Sequence, residues 1–319
     1  MTIDAPPLSP ERAAGRVSNA TARRRLNRLT LAKYRFCYLG LVPIFAIYWV
    51  LRLEPIGRTF YLSFHEWHLI RPARPWIGLA NYRELFGDPN FLMALWNTSL
   101  FAVAVVVLSV VVGLALSVLL AGNLRFTAAY QAIYFLPVIT PMVPMAIAWK
   151  WIFDARIGIL NYLLSWFGVS PIGWLTSPEV AIWSIIIMSV WKVLGYNMIL
   201  LLVGLKNIPA TLYEAASIDG AFGWRMFWRI TLPLLRPIML FVIVVSTINA
   251  YNVFTQVYVM TQGSQAAPGA QLRVLVFDIY QNGFQFFKMG YASAEAVVLT
   301  LIILVLTLVQ FRVIRVDEG

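Results

Sequence analysis

The chain has 319 residues, of which 60% are hydrophobic and 12% charged, and its formal charge is +11. A soluble domain of this length carries about twice that charged fraction, so the excess apolar surface excludes a water-soluble globular protein and calls for a bilayer. The basic residues cluster beside apolar spans, which makes membrane topology, and not nucleic acid, the reason for the charge.

Residues 1–30 are polar, with Pro6, Pro7 and Pro10 and a basic run at Arg23, Arg24, Arg25 and Arg28. They read as a flexible cytoplasmic tail ahead of a transmembrane domain over 31–319. The first apolar stretch runs from Phe36 to about Phe64. It is too long for a cleavable signal, and no small-residue cleavage site follows it. Its outer half carries Arg52, Glu54 and Arg58, which places that half against other helices or near the interface. It also holds Cys37, the sole cysteine, which excludes an intrachain disulfide and a thiolate metal cage. The only histidines, His65 and His68, flank Glu66 in the string H-E-W-H. That spacing differs from the zinc-protease helix, so the segment reads as an interfacial loop with no metal.

Further apolar spans lie near 91–121, 129–152, 179–203, 237–260 and 291–312, each near the ~20 residues that a crossing helix needs. Backbone in hydrocarbon must bond to itself, so the expected fold is all-α and integral to the membrane, with six transmembrane helices. Pro137, Pro141 and Pro144 interrupt the third span and predict a kinked or broken helix packed inside protein. Six spans put both termini on one side. The tail, Arg125, Lys206, Arg225, Arg229, Arg236, Arg312 and Arg315 fall on one set of loops, and Arg71, Arg74, Arg83, Arg156, Arg273 and Lys288 on the other. The richer set belongs inside, so both termini are expected in the cytoplasm. The sequence shows no internal repeat and no second soluble domain. It has no G-x-x-x-x-G-K-[ST] phosphate loop and no nucleophile–base pair in a plausible site, which argues against an enzyme.

The segment 204–237, between the fourth and fifth spans, is too long for a simple connection and full of structural signals. Pro209 suits a helix start, residues 210–218 continue it, and Asp219-Gly220 ends it. A second amphipathic helix is expected over about 223–231, with Leu232-Pro233 turning the chain back to the membrane. Such a helix–turn–helix suits either a partner's groove or an interfacial position with no partner. Ala215 and Ala216 leave one surface smooth for close approach, and Glu214 is free to pair with a basic residue.

The string Glu214-Ala215-Ala216, then Asp219-Gly220-Ala221, then Ile230-Thr231-Leu232-Pro233, resembles the cytoplasmic signature loop of binding-protein-dependent ABC importer permeases. Asn81-Tyr82, Leu85-Phe86, Phe135-Leu136-Pro137, Ser189-Val190-Trp191-Lys192 and Gly290-Tyr291-Ala292-Ser293-Ala294 extend the likeness to the carbohydrate branch, the maltose and glycerol-phosphate type. The resemblance implies the type I importer permease fold (MetI-like) in the inner membrane, serving a sugar, oligosaccharide or sugar/polyol phosphate. It implies a second, different permease subunit, two ATPase subunits that carry ATP and Mg, and an extracytoplasmic solute-binding protein. Glu214, Ala215, Ala216, Asp219 and Gly220 would then couple ATPase closure to alternating access. This chain itself would hold no cofactor and meet lipid but no nucleic acid.

A sugar site needs amides, hydroxyls and aromatic rings near mid-bilayer. The fifth span offers Ser246, Asn249, Asn252 and Gln256 on one helical stripe, and the fourth offers Ser189, Trp191, Lys192 and Tyr196. Either these groups line a solute pathway or they bond helix to helix. Lys192, a cation in mid-span, needs a partner: an anionic solute, or a carboxylate on another helix or subunit. Glu295 reads as interfacial or as the partner of a basic group, beside the small residues Gly290, Ala292, Ala294 and Ala296. The outer segment 261–290 is the expected docking surface for the binding protein. The alternatives are a permease of the same kind for peptides, amino acids or polyamines, and an ion-coupled secondary transporter that works alone.

Overall fold

The computed structural model describes residues 34–70, 73–122, 124–261 and 272–314. The polar tail, Arg315 and residues 262–271 of the outer segment lie outside these. The chain divides into two compact units, Met1–Arg58 and Thr59–Gly319. The described part of the first unit is helical and belongs to α1, Tyr34–Leu62. Its side chains from Tyr34 to Leu53 are exposed. Glu54 and Arg58, one turn apart, form an ion pair with each other, which answers two of the three charges in that half of the span.

The second unit is built from α2 (Ala80–Gly87), α3 (Pro89–Ala121), α4 (Thr127–Ile139), α5 (Met142–Ile152), α6 (Ile159–Ser165), α7 (Pro178–Lys206), α8 (Ala210–Ile218), α9 (Gly223–Tyr251), α10 (Thr255–Thr261), α11 (Leu275–Tyr280) and α12 (Met289–Val313). Among the described residues there is no strand, only isolated bridges joining His65 to Trp76 and His68 to Lys288. The two histidines thus sit in a folded loop, and His65 Nδ1 lies 2.9 Å from the Tyr61 carbonyl.

Local chemistry sets the helix starts. Asp88 caps α3 by accepting from the Asn90 amide at 2.9 Å, with Pro89 in the first turn, where its missing N–H costs nothing. α7 likewise opens on Pro178 and carries Lys206 in its last turn. The six predicted spans correspond to five continuous apolar helices, α1, α3, α7, α9 and α12, and to the pair α4–α5, bent by 100°. With 13 and 11 residues, neither half of the pair reaches across the ~30 Å of hydrocarbon at ~1.5 Å per residue.

One expected turn is absent. Leu232-Pro233 does not send the chain back: α9 runs unbroken from the segment 204–237 into the fifth span. A π-helical turn at Phe227–Thr231 precedes Pro233. Its wider ring spacing lets a residue without an N–H be carried inside a continuous helix.

α7 is the central helix. Of its most apolar stretch 56% is buried, against 28–33% for α3, α9 and α12. Phe101, Ala102 and Val105 of α3 and Ile185 and Met188 of α7 share the main apolar core. The loop between α5 and α7 is organised by Asn161. Its Nδ2 donates to the carbonyls of Ala155 (3.1 Å) and Ile172 (2.9 Å), and its Oδ1 accepts from Ile172 N (3.1 Å) and Trp174 Nε1 (2.9 Å). Both donors and both acceptor sites of the amide are used. At about 0.5–1.5 kcal/mol net per bond, Asn161→Ala is expected to lower the unfolding free energy of the detergent-solubilised protein by about 2–4 kcal/mol, read from thermal or denaturant unfolding. Asn161→Asp keeps the acceptors and is expected to lose about half as much.

Candidate functional site

A cavity of about 480 Å³ opens among α3, the α4–α5 break, α7, α9 and the start of α10. Ser189, Lys192, Tyr196 and Asn197 border it from α7, Ser246, Asn249 and Asn252 from α9 and its end, and Thr255 and Gln256 from α10. Phe101, Val105, Val138, Met142 and Phe254 form apolar walls. Of the pathway candidates, Ser189, Lys192, Tyr196, Ser246, Asn249 and Asn252 therefore meet around one space. Trp191 does not. It sits about 100° around α7 from Lys192, and its ring rests 5.4 Å from that of Trp149.

The convergence does not come from a single helical stripe. α9 ends at Tyr251, Asn252 leaves the helix at φ −89°, ψ 19°, and α10 begins three residues later. Ser246 and Asn249 share a helix face, while Asn252 and Gln256 reach the cavity because the chain turns along its rim. Asn252 Nδ2 donates to its own Ile248 carbonyl at 2.7 Å.

These polar groups are not equivalent. Ser246 Oγ donates to Asn197 Oδ1 at 3.4 Å, and Asn197 Nδ2 donates to Ser109 Oγ at 3.0 Å. This chain ties α9 to α7 and α7 to α3, so Ser246 joins helices at the cavity wall. Asn249 is exposed to the cavity. Ser189 is 3% exposed, and its Oγ meets no protein partner. Sequence reasoning missed Asn197, although an amide in mid-span beside Tyr196 carries the same signal as the residues that were singled out.

Lys192 is 8% exposed. Its Nζ donates to the carbonyls of Pro137 (2.5 Å), Thr140 (2.5 Å) and Val138 (3.2 Å) at the α4–α5 break. The two readings of this cation, an anionic solute or a partner carboxylate, are both replaced by backbone carbonyls. An ammonium has three donors, and all three are engaged. Charge-assisted bonds of about 1.5–3 kcal/mol each offset the ~2.5–3.5 kcal/mol that a mid-span lysine costs on insertion scales.

Glu295 is fully buried and not interfacial, and it accepts from Asn282 Nδ2 at 3.0 Å. Nearby, Arg273 pairs with Asp278 at 3.3 Å. Burial pushes the Asp278 carboxyl above its ordinary range despite that cation.

At the other end of α9, α8 closes in a Schellman turn. Ala221 N bonds the Ala216 carbonyl at 2.9 Å, Gly220 N bonds the Ser217 carbonyl at 3.1 Å, and Gly220 adopts φ +76°. Glu214, Ala215, Asp219 and Gly220 are exposed. Ala216 is 4% exposed, so it seats α8 on its own chain and offers no partner surface. Tyr213 Oη lies 3.3 Å from Thr231 Oγ1, linking α8 to the base of α9. The 29-residue α9 then spans about 43 Å at ~1.5 Å per residue, from this element to Asn249 at the cavity.

A bundle of long apolar helices around a cavity with apolar walls and several polar side chains suits an integral-membrane transport subunit. The chain belongs to the family of binding-protein-dependent transport system inner membrane components, which its sequence matches over residues 109–315. The probable ABC transporter permease protein YesP of Bacillus subtilis is 36% identical over 91% of this chain and 92% of that protein. The trehalose/maltose transport system permease protein MalF of Thermococcus litoralis is 32% identical over 91% and 97%. The sulfoquinovosyl glycerol transport system permease protein SmoG of Agrobacterium fabrum is 33% identical over 97% and 100%. In fold, the chain is similar to a bacterial ABC transporter that imports the polysaccharide alginate, with a TM-score of 0.79 and 24% identity over 92% of this chain and all of that one. The chain is therefore a multi-pass ABC permease of the inner membrane. It is a transport subunit and not an enzyme, with the ATPase on separate chains.

The two kinds of cavity residue separate by experiment. Asn249→Ala is expected to raise the solute concentration for half-maximal uptake about tenfold, the equivalent of one lost hydrogen bond of about 1.4 kcal/mol, with thermal stability kept. Ser246→Ala is expected to cost about 0.6 kcal/mol of stability and to leave that concentration within about twofold.

Proposed function

We propose that the chain is the permease subunit of an ATP-driven importer of an uncharged sugar or oligosaccharide, coupling ATPase closure to alternating access. The observation that carries this reading is the cavity's chemistry together with its connection. The exposed amides of Asn249 and Asn252 stand beside Tyr196 and Phe254, with the hydroxyls of Ser189, Ser246 and Thr255 in the same wall, the combination that sugar hydroxyls and ring faces require. Among the described residues no carboxylate lines the cavity, which disfavours polyamines and the amino groups of peptides or amino acids. Lys192, the one cation among the described lining residues, is spent on carbonyls, which disfavours sugar phosphates. Curated relatives named as carriers of trehalose and maltose, arabinooligosaccharides and lactose support the same class.

The coupling element in this reading is α8 with its turn. Glu214, Ala215, Asp219 and Gly220 form the face offered to an ATPase, and α9 transmits its movement to the cavity as one rigid rod. Two ATPase subunits carry ATP and Mg, a second permease chain completes the pathway, and an extracytoplasmic binding protein delivers solute. A solved relative of the same fold is an alginate transporter in complex with its periplasmic protein. Both termini lie in the cytoplasm, since the basic residues favour that side. Residues 1–30 form a tail to the permease domain, 31–319.

In proteoliposomes that contain the assembled transporter and its binding protein, uptake is expected to be competed by neutral sugars and not by amino acids, peptides or polyamines. Competition by amines alone contradicts the solute assignment. Glu214→Ala is expected to leave membrane insertion intact and to cut solute-stimulated ATP hydrolysis at least tenfold, the equivalent of about 1.4 kcal/mol of lost coupling. Normal stimulation contradicts the coupling assignment.

A further inference from the structure

The broken span places Pro141 and Pro144 four residues after Pro137 and Thr140. In an α-helix the carbonyls of Pro137 and Thr140 would take the N–H groups of residues 141 and 144. Proline has no N–H, so both carbonyls are left without their helical donors. These are the same two carbonyls that Lys192 Nζ approaches most closely, each at 2.5 Å, with Val138 as the third at 3.2 Å. Two of the three carbonyls that the ammonium meets are thus the ones whose helical donors the prolines remove; the Pro137 carbonyl also accepts from Thr140 N at 3.3 Å.

A second observation ties the same helices together independently of charge. One turn beyond Lys192, a Cβ at Gly195 would collide with the Tyr134 carbonyl oxygen and lie 3.0 Å from Phe135 Cα. Only glycine lets the backbones of α7 and α4 meet there. α4 is therefore held on α7 at two successive points, first by direct backbone contact and then by the lysine at its broken end. Val138 and Met142, on either side of the break, form part of the cavity wall.

We propose that Lys192 is a positioning residue: its ammonium replaces the backbone donors that Pro141 and Pro144 lack, and so holds the 100° break of α4–α5 as a fixed wall of the cavity. The lysine acts through the break and donates nothing to the solute. This inference stands apart from the solute's identity and from the coupling assignment.

The test uses the complete transporter in lipid nanodiscs. Cys37 is the sole cysteine of this chain, so Cys37→Ser clears its own background, and the chain is labelled before assembly with its partners. Ile133→Cys and Trp151→Cys then place nitroxide labels on exposed positions of α4 and α5. The distance between them reports the bend by electron–electron double resonance. The expected result is one narrow distance with Lys192 present and a broad, longer distribution with Lys192→Met. An unchanged distribution in Lys192→Met overturns the proposal. Should Lys192→Met fail to accumulate, the triple variant Lys192→Met, Pro141→Ala, Pro144→Ala supplies N–H groups to the stranded carbonyls. It is expected to restore accumulation with a lengthened label distance, as the span straightens. Failure of the triple variant to accumulate also overturns the proposal. A lysine that served a solute or a partner's carboxylate would show neither the altered bend nor the rescue.

Discussion

A proline inside a membrane helix strands a carbonyl, and in hydrocarbon no water is at hand to satisfy it. This chain has three prolines within eight residues of one span, Pro137, Pro141 and Pro144. The bend that follows makes room for the cavity. It also bares backbone polar groups at the cavity's edge, where each unpaired group costs several kcal/mol. The ammonium of Lys192 meets three of those carbonyls at once. A cation alone in mid-span and a broken helix alone in mid-span are each unfavourable. Placed together they satisfy one another, and the remaining cavity residues are arranged around the result.

The rest of the polar machinery follows the same logic at lower cost. Asn197 spends its amide on Ser109 and Ser246, locking α3, α7 and α9 at the height of the cavity. What remains exposed there is Asn249 above all, which the proposed function gives to the solute. At the other end of α9, the Tyr213–Thr231 contact links α8 to its base. Because the π turn carries α9 past Pro233 without a break, the proposed coupling has one continuous helix between the base of α8 and Asn249. A hinge at Leu232-Pro233 would have interrupted it. Rigid connection between a driven element and a binding wall is what a two-state transporter needs.

Features written in neighbouring residues were legible in the sequence. Pro209 before a helix-forming run and Asp219-Gly220 after it predict α8 and its turn, because capping and positive φ are local chemistry. The proline cluster predicts the broken span for the same reason. Features that depend on distant residues were not legible. Lys192 announces that it needs a partner, but that partner is 55 residues away and belongs to the backbone, which no side-chain pattern reveals. Helical periodicity assigns Ser246, Asn249, Asn252 and Gln256 to one stripe. It cannot register that α9 stops at Tyr251, and the last two residues arrive at the cavity by another route. Ala216 fits an exposed smooth face on sequence grounds, yet it is buried in the folded chain.

The central claim is that this bundle has no energy source of its own and moves solute only when a separate nucleotide-hydrolysing subunit drives α8. The direct measurement is uptake of labelled solute into proteoliposomes, with ion gradients collapsed, comparing the permease pair and binding protein with and without the ATPase subunits and ATP. The account predicts accumulation only when ATPase and ATP are both present. Accumulation by the permease without the ATPase, driven by an imposed proton or sodium gradient, would contradict it.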